Sequence, residues 1–165
     1  HLIISNHQST LETYLYTIVL PPHVFILKRE LLWIPFFGWG LAKVNPIAIN
    51  RKDGRNAFKN MVTQAKERFA EGLSIIVFPE GTRSAPNSIT PYKRGGFLLA
   101  KQLNADILPL AINSGCSWQK GKFLKYPGTV TLEIGKPILS YNKDAHELLE
   151  ETETWIRNHT RQSLD

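Results

Sequence analysis

Two short motifs contain the residues of this chain that are best suited to do chemistry. The first, Asn-His-Gln-Ser-Thr-Leu-Glu, supplies a histidine, His7, and a carboxylate five residues later, Glu12. Histidine is a frequent general base, and a neighbouring carboxylate can orient its ring and stabilise the imidazolium. The second, Phe-Pro-Glu-Gly-Thr-Arg-Ser over residues 78–84, supplies a guanidinium, Arg83. Together the motifs predict removal of a proton from a hydroxyl of a phosphate-bearing substrate.

The spacing of the first motif restricts how its two residues can meet. On one continuous helix, residues five apart point about 140° away from each other. His7 must therefore lie in a turn and Glu12 in the first turn of the following helix. Both residues also have simpler interpretations. The run from Ser9 to Glu12 has the pattern of a helix capping box, and His7 can be a turn histidine without a function.

The second motif follows a strongly apolar run and has the features of an anion site. Pro79 ends the strand, and Gly81 permits a tight turn with exposed N–H groups. Arg83 can grip a phosphate in a bidentate manner, with the Thr82 hydroxyl beside it. Glu80 can orient Arg83 or bind a substrate hydroxyl. The alternative is an ordinary turn with an Arg–Glu pair on the surface.

Other cations follow predicted strands as well. Arg51 follows the apolar run 46–49 after one intervening residue, Asn50, and Lys93 with Arg94 precedes a predicted helix that starts at Gly95. Free N–H groups at a helix start favour anions. Because the carboxyl ends of parallel strands share one edge of a sheet, we expect these cations to face His7. The alternative for each of them is a solvated surface charge.

Apolar runs alternate with amphipathic stretches along the chain. Several runs lack polar alternation, which is typical of strands buried on both faces. The pattern predicts one α/β domain over residues 1–165, with a mainly parallel sheet flanked by helices. The predicted strands are 2–5, 24–27, 46–49, 73–78, 107–112 and 129–134, and the predicted helices are 9–20, 55–71, 95–103 and 144–159.

Composition limits the classes of function. Twenty basic and fourteen acidic residues give a net charge of +6, which favours anionic partners such as phosphate ligands and anionic lipids. No nucleic-acid-binding motif occurs, so nucleic acid is not an expected partner. Cys116 is the only cysteine, which excludes an internal disulfide. The aromatic segment 31–41 is too short to span a bilayer. It suits either an interfacial or acyl-chain-binding element or a buried core segment.

Four blocks, in order, resemble those of the glycerolipid acyltransferase family. His7 and Glu12 match its catalytic block, a histidine and an acid separated by four residues, and residues 78–83 match its Glu-Gly-Thr-Arg block. Residues 46–51 resemble the second block, and residues 107–110 resemble the fourth, which is associated with the acyl donor. Two positions depart from the family pattern. Glu12 stands where Asp is usual, a variant found among bacterial members, and Asn50 stands where Asp is common.

The resemblance implies an O-acyltransferase of phospholipid biosynthesis. It would transfer a fatty acyl group from acyl-CoA or acyl carrier protein to the 2-hydroxyl of 1-acylglycerol 3-phosphate, giving phosphatidate. His7 would be the general base and Glu12 its partner, and backbone N–H groups after His7 are candidate oxyanion donors. The residues implied to bind the acceptor are Arg51, Glu80, Gly81, Thr82 and Arg83.

The resemblance also implies a setting for the reaction. No metal or cofactor is expected, and the partners would be lysophosphatidate, an acyl thioester and a membrane surface with anionic lipids. The expected location is the cytoplasmic face of the inner (plasma) membrane, with an N-terminal membrane-associating segment outside this sequence. The alternatives are another acceptor (glycerol 3-phosphate, another lysophospholipid or an acylated amino acid), a thioesterase, and a non-catalytic module that binds anionic lipid.

Overall fold

The structure is a computed structural model that describes residues 1–86 and 88–160. Strands and helices alternate along most of the chain. Within these described ranges, three short 3-10 turns follow strands, namely Arg29–Trp33, Arg51–Asp53 and Ser114–Cys116. The strands are β1 Leu2–Ser5, β2 His23–Lys28, β3 Ile47–Ile49, β4 Ser74–Val77, β5 Ile107–Ile112 and β6 Leu132–Ile134, and the helices are α1 Leu11–Val19, α2 Phe37–Lys43, α3 Arg55–Ala70, α4 Gly95–Leu103 and α5 Ala145–His159.

The six strands form one sheet in the order β3-β2-β4-β1-β5-β6. All neighbouring pairs are parallel except β5 and β6, which are antiparallel. The two central strands bring distant parts of the sequence together, since β1 pairs with both β4 and β5. The loops that follow β1, β4 and β5 therefore meet at one edge of the sheet, where ligand sites of open α/β sheets form.

Both faces of the sheet are buried, which explains the continuous apolar runs. Ile3 contributes to one face, where Tyr16 of α1 packs on it. Leu2 and Ile4 contribute to the other face, together with Phe97 of α4 and further residues of α3 and α5. The side chains of β1 alternate between these two cores because successive residues of a strand point to opposite faces.

The predicted α/β fold is confirmed, and most of its elements have the expected positions. The structure shortens the predicted strand 129–134 to Leu132–Ile134. Before Leu132, a side chain takes the place of a backbone partner: Asn113 Oδ1 accepts from the backbone N–H of Thr131 at 2.7 Å. Within the described residues, no helix is both long and apolar enough to cross a membrane.

Candidate active site

His7 and Glu12 meet in the geometry that their spacing requires. His7 lies in the turn after β1, and Glu12 is the second residue of α1. The imidazole Nδ1 is hydrogen-bonded to Glu12 Oε2. The His7 ring also stacks on Phe78, with ring centroids 4.0 Å apart. No bond to Nε2 occurs among the described residues, so this nitrogen is left for a ligand.

The second oxygen of Glu12 holds the turn itself. Oε1 accepts from the backbone N–H groups of Gln8, at 2.8 Å, and Ser9, at 2.7 Å. The Ser114 hydroxyl donates to the same oxygen at 2.5 Å. The Glu12 side chain is fully buried, and these donors satisfy its carboxylate. The expectation that N–H groups after His7 bind an oxyanion is therefore wrong for Gln8 and Ser9, whose N–H groups are used by Glu12.

The backbone of His7 is fixed at both its polar groups by the loop after β4. Its N–H donates to Glu80 Oε1 at 3.1 Å, and its carbonyl accepts from Ser84 N at 2.8 Å. Burial raises the pKa of the Glu80 carboxyl to about 7, although its bonds to backbone N–H groups oppose this shift. Glu80 Oε2 is buried and has no hydrogen-bond partner among the described residues.

Two amide side chains tie the same turn to the end of β5. Asn6 exchanges two hydrogen bonds with the backbone of Ile112, at 2.8 Å and 2.9 Å. Gln8 Oε1 accepts from Gly115 N at 3.0 Å. The turn is thus anchored to the end of β5 and to the loop after β4. This rigidity holds His7 in place without help from a ligand.

His7 opens into a cleft of 330 Å³ at the carboxyl edge of the sheet. We call three of its lining residues the cationic side: Lys28, from the end of β2, and Arg83 and Lys120, from the loops after β4 and β5. Arg83 lines the cleft, with Nη1 donating to Thr10 Oγ1 at 2.7 Å. Further lining residues with polar groups are Gly81 and Thr82.

The turn before Arg83 has the conformation that its glycine suggested. Gly81 has a φ of +71°, a region that disfavours residues with a Cβ. The Thr82 hydroxyl accepts from Lys120 Nζ at 3.0 Å, and the Arg83 carbonyl accepts from the same ammonium at 3.2 Å. Lys120 therefore joins the cationic side from a loop 37 residues later in the chain.

Several predicted cations and acids occupy other positions. Glu80 is 5% exposed and is absent from the described lining of the cleft, unlike Gly81 and Thr82. Lys93 and Arg94 are exposed at the start of α4 and are likewise not among the described lining residues. They are therefore not part of the described cleft lining, and the expectation that they face His7 stays a prediction. Arg51 begins a 3-10 turn after β3, and its side chain lies outside the described part of the structure.

The aromatic segment 31–41 is exposed rather than part of the core. Trp33, Phe36 and Trp39 are 71%, 81% and 62% exposed. The segment folds tightly at Gly38, where an added Cβ would lie 2.2 Å from the Leu32 carbonyl oxygen. Leu31 and Leu41 from this segment line the same cleft as Lys120. The apolar wall of the cleft therefore continues onto an exposed aromatic surface.

Two residues of the site, Ser114 and Lys120, were not identified from sequence. Both follow β5, and they reach the site only because β5 pairs with β1. Lys120 had a weak signal, since it belongs to a group with Lys122 and Lys125 in a stretch without acids. Among the described residues no cluster of three or more His, Cys, Asp or Glu side chains could hold a metal.

A sequence model of the Acyltransferase family matches residues 1–113 of this chain. These residues include His7, Glu12 and the turn that carries Arg83, and they end at Asn113, one residue before Ser114. The matched part is well over half of the chain. The chain belongs to the acyltransferase family.

Similar proteins agree with this assignment. The chain is 39% identical to the 1-acyl-sn-glycerol-3-phosphate acyltransferase of Pseudomonas aeruginosa, over 94% of this chain and 62% of that protein. It is also 39% identical to the alpha enzyme of this name from Ovis aries, over 69% of this chain and 40% of that protein.

A solved structure supports the fold. The 1-acyl-sn-glycerophosphate acyltransferase of Thermotoga maritima matches with a TM-score of 0.79 and 26% identity, covering 96% of this chain and 64% of that one. The acyltransferase family and its α/β fold, both predicted from the sequence, are confirmed. This chain spans less than two thirds of the length of each of these three relatives.

Proposed function

We propose that this protein transfers a fatty acyl group from a thioester to the 2-hydroxyl of 1-acylglycerol 3-phosphate, giving phosphatidate. The observation that carries the proposal is the hydrogen-bonded pair of His7 and the buried Glu12, of which His7 opens into a cleft shared with Arg83 and Lys120. A base and a cluster of cations in one cleft suit an acceptor that has both a hydroxyl and a phosphate. The names of the similar proteins supply the specific acceptor.

The acceptor phosphate would bind to the cationic side of the cleft. Arg83 offers a planar fork of N–H donors that matches phosphate oxygens. Lys120 lies within hydrogen-bond distance of Thr82 and can turn its ammonium to the same phosphate. The backbone turn at Gly81 would let the phosphate approach closely. Arg51 remains a further proposed ligand from the second family block.

The proposed reaction needs one base and no protein nucleophile. His7 Nε2 removes the proton of the acceptor hydroxyl while the hydroxyl oxygen attacks the thioester carbonyl carbon. The tetrahedral intermediate then collapses, the C–S bond breaks, and the imidazolium returns the proton to the leaving sulfur. Glu12 fixes the ring and stabilises its cationic form. The products are phosphatidate and a free thiol.

Glu80 has a different proposed role from the one implied by the resemblance. Its carboxyl is buried and accepts from the backbone N–H of His7 rather than lining the cleft. We assign it to positioning His7. The resemblance had grouped it with the residues that touch the acceptor, namely Gly81, Thr82 and Arg83.

The donor and the setting complete the proposal. The donor would be acyl-CoA or acyl carrier protein, and the reaction would occur at an anionic membrane surface on the cytoplasmic face of the inner membrane. The exposed aromatic segment 31–41, next to the cleft, supports contact with lipid. No cofactor enters the proposed reaction.

An acylation assay tests the proposal. The full protein is supplied with oleoyl-CoA or oleoyl acyl carrier protein and lysophosphatidate, and thiol release and phosphatidate are both measured. We expect wild type to form phosphatidate, and His7→Ala to lower kcat by about 10²–10⁴-fold. Arg83→Ala and Lys120→Ala should raise the acceptor KM, each on the order of tenfold. Lys93→Ala, which removes an exposed cation outside the described cleft lining, is the matched control.

Other results would replace this function by one of its alternatives. Thiol release with free fatty acid and no phosphatidate would indicate a thioesterase. If acylated product formed only with glycerol 3-phosphate, another lysophospholipid or an acylated amino acid, that compound would be the acceptor in place of lysophosphatidate. Lysophosphatidate binding that is unaffected by His7→Ala, with no product from either donor, would indicate a non-catalytic module.

A further inference from the structure

The loop between β5 and β6 has a composition unlike the rest of the surface. No Asp or Glu occurs between Asp106 and Glu133, although the whole chain has fourteen acids. In the same interval, residues 117–126 alternate lysines with large apolar side chains. We call residues 117–126 the aromatic–lysine loop. Its members with these side chains are Trp118, Lys120, Lys122, Phe123, Leu124, Lys125 and Tyr126.

The apolar side chains at the tip of this loop point into solvent. Phe123 is 91% exposed and Leu124 is 66% exposed, and Tyr126 behind them is 50% exposed. The loop is closed at its base by a hydrogen bond from Tyr126 N to the Ser117 carbonyl, 2.8 Å long. The tip is therefore a defined projection. A contiguous apolar projection surrounded by lysines is typical of a surface that contacts something else.

One lysine covers the aromatic rings of the loop. The Lys125 ammonium lies 4.5 Å from the centre of the Trp118 ring and 4.8 Å from that of Phe123. It also donates to the Phe123 carbonyl at 2.7 Å. The cationic and apolar groups of the loop thus occupy the same small volume. A bilayer with anionic headgroups offers both matching layers, phosphates for lysines and acyl chains for Phe and Leu.

The position of the loop is as informative as its composition. Its Lys120 bonds to Thr82 and to the Arg83 carbonyl, so the base of the loop forms one side of the cleft. Segment 31–41 contributes Leu31 and Leu41 to the same cleft and also carries the exposed Trp33 and Phe36. Two segments with exposed apolar side chains therefore contribute lining residues to the cleft.

We propose that the aromatic–lysine loop inserts its tip into an anionic lipid bilayer. Phe123 and Leu124 enter the acyl-chain boundary, while Lys122 and Lys125 bind headgroup phosphates. This orientation sets Lys120 and the mouth of the cleft at the level of the headgroups, where the phosphate of a lipid substrate lies. The benefit for catalysis rests on the proposed function, whereas insertion itself is measurable without it.

Vesicle binding tests the insertion directly. The full protein is sedimented with vesicles of phosphatidylcholine alone and of an equal mixture with phosphatidylglycerol. We expect Phe123→Ser with Leu124→Ser to lower the partition coefficient on the order of tenfold, and Lys122→Gln with Lys125→Gln to lower it only on the mixed vesicles. The matched control is Leu139→Ser with Tyr141→Ser, an exposed pair beside Ile138, which pairs with the first residue of β5 at the opposite edge of the sheet.

A fluorescent label reports insertion even if other parts of the protein also bind lipid. In a Cys116→Ser background, Phe123→Cys and Tyr141→Cys are each labelled with an environment-sensitive dye. We expect the mixed vesicles to shift emission to the blue at position 123 and not at position 141. Equal spectra with and without vesicles at position 123 would overturn the proposal. So would lysine variants that lose affinity for acyl carrier protein but keep wild-type affinity for the mixed vesicles.

Acylation rates with two acceptors distinguish membrane insertion of the loop from the proposed acyltransferase function. A short-chain lysophosphatidate that is soluble in water does not require the membrane. If insertion occurs, the Phe123 and Leu124 double variant should acylate the soluble acceptor at the wild-type rate and long-chain lysophosphatidate in vesicles more slowly. If wild type and the double variant acylated long-chain lysophosphatidate in vesicles at equal rates, the result would contradict a role of loop insertion in catalysis. An absence of acylation on both acceptors in wild type, with the label still shifted, would reject the proposed function and leave the insertion standing.

Discussion

Two helices of this protein begin with the same kind of capping sequence, but only one lies at the candidate active site. At α5, Asp144 accepts from the backbone N–H of Glu147 at 2.9 Å, and Glu147 accepts from that of Asp144 at 2.7 Å. Both residues are solvent-exposed. At α1, Glu12 accepts from the backbone N–H of Ser9 in the same way, but its side chain is fully buried and its other oxygen binds His7.

The comparison shows that a capping role and a catalytic role do not exclude each other. Oε1 of Glu12 stabilises the start of α1 and Oε2 orients His7. What separates Glu12 from Glu147 is the tertiary environment. Ser114, after β5, donates to Glu12, and Glu80, after β4, accepts from the backbone of His7 in the turn before α1. The α5 start is instead exposed to solvent.

The largest expected effect comes from removing the charge at each helix start. Glu12→Gln keeps the size of the side chain but sets an amide among N–H and O–H donors, where it loses charge-assisted bonds. We expect kcat for acylation to fall by about 10²–10⁴-fold with a lower melting temperature. Glu147→Gln should leave kcat unchanged. Steady-state kinetics and thermal unfolding of both variants measure the difference.

A third variant sharpens this test. Glu12→Asp keeps the charge and restores the acid that is usual in the family, but its carboxylate is one methylene shorter. It should retain more activity than Glu12→Gln. If Glu12→Gln and Glu147→Gln had the same small effect on kcat, Glu12 would be a capping residue only.

The second largest effect is expected on the pH dependence of stability and comes from Glu80, the buried carboxyl that accepts from the backbone N–H of His7. Burial raises the pKa of Glu80 from 4.5 to about 7. The folded protein therefore binds a proton there more readily than the unfolded chain. The stabilising contribution of that proton is complete below pH 4.5 and is lost as the pH rises through about 7.

Glu80→Gln removes this titration while it keeps an oxygen that can accept from His7 N. We expect the variant to gain on the order of 3 kcal/mol of unfolding free energy relative to wild type above pH 7, from 1.36 kcal/mol per pKa unit. The gain should disappear toward pH 4.5. Denaturant unfolding across this range measures it, with the exposed Glu30→Gln as control. A constant difference at every pH would mean that Glu80 titrates normally.

The sequence predicted those parts of the site that are local in the chain. His7, Glu12 and the Arg83 turn each lie in one short segment, so spacing and turn chemistry made them candidates. The family resemblance then favoured them over the capping-box and surface-turn alternatives. Ser114 and Lys120 could not be selected, because their roles depend on which strands are neighbours in the sheet.

The oxyanion expectation was wrong for a related reason. The turn after His7 was expected to leave its N–H groups free, but hydrogen bonds to Glu12 occupy those of Gln8 and Ser9. Sequence alone does not show how a buried carboxylate divides its oxygens among several donors. The choice between core and surface for segment 31–41 also required the fold, since its apolar composition fits both.

The smallest effect is expected at Ser114, the donor that the α5 start lacks. Ser114→Ala removes one of the three donors to Glu12 Oε1, while Gln8 N and Ser9 N continue to hold it. Because a hydrogen bond to a charged group contributes about 1.5–3 kcal/mol, unfolding free energy should fall by about this amount. We expect kcat to fall by no more than about tenfold with the acceptor KM unchanged, and the exposed Ser88→Ala to change neither. A loss of kcat as large as that of Glu12→Gln would mean that Ser114, and not the capping N–H groups, determines where the carboxylate lies. The difference between the two helix starts would then depend on this one contact to the segment after β5.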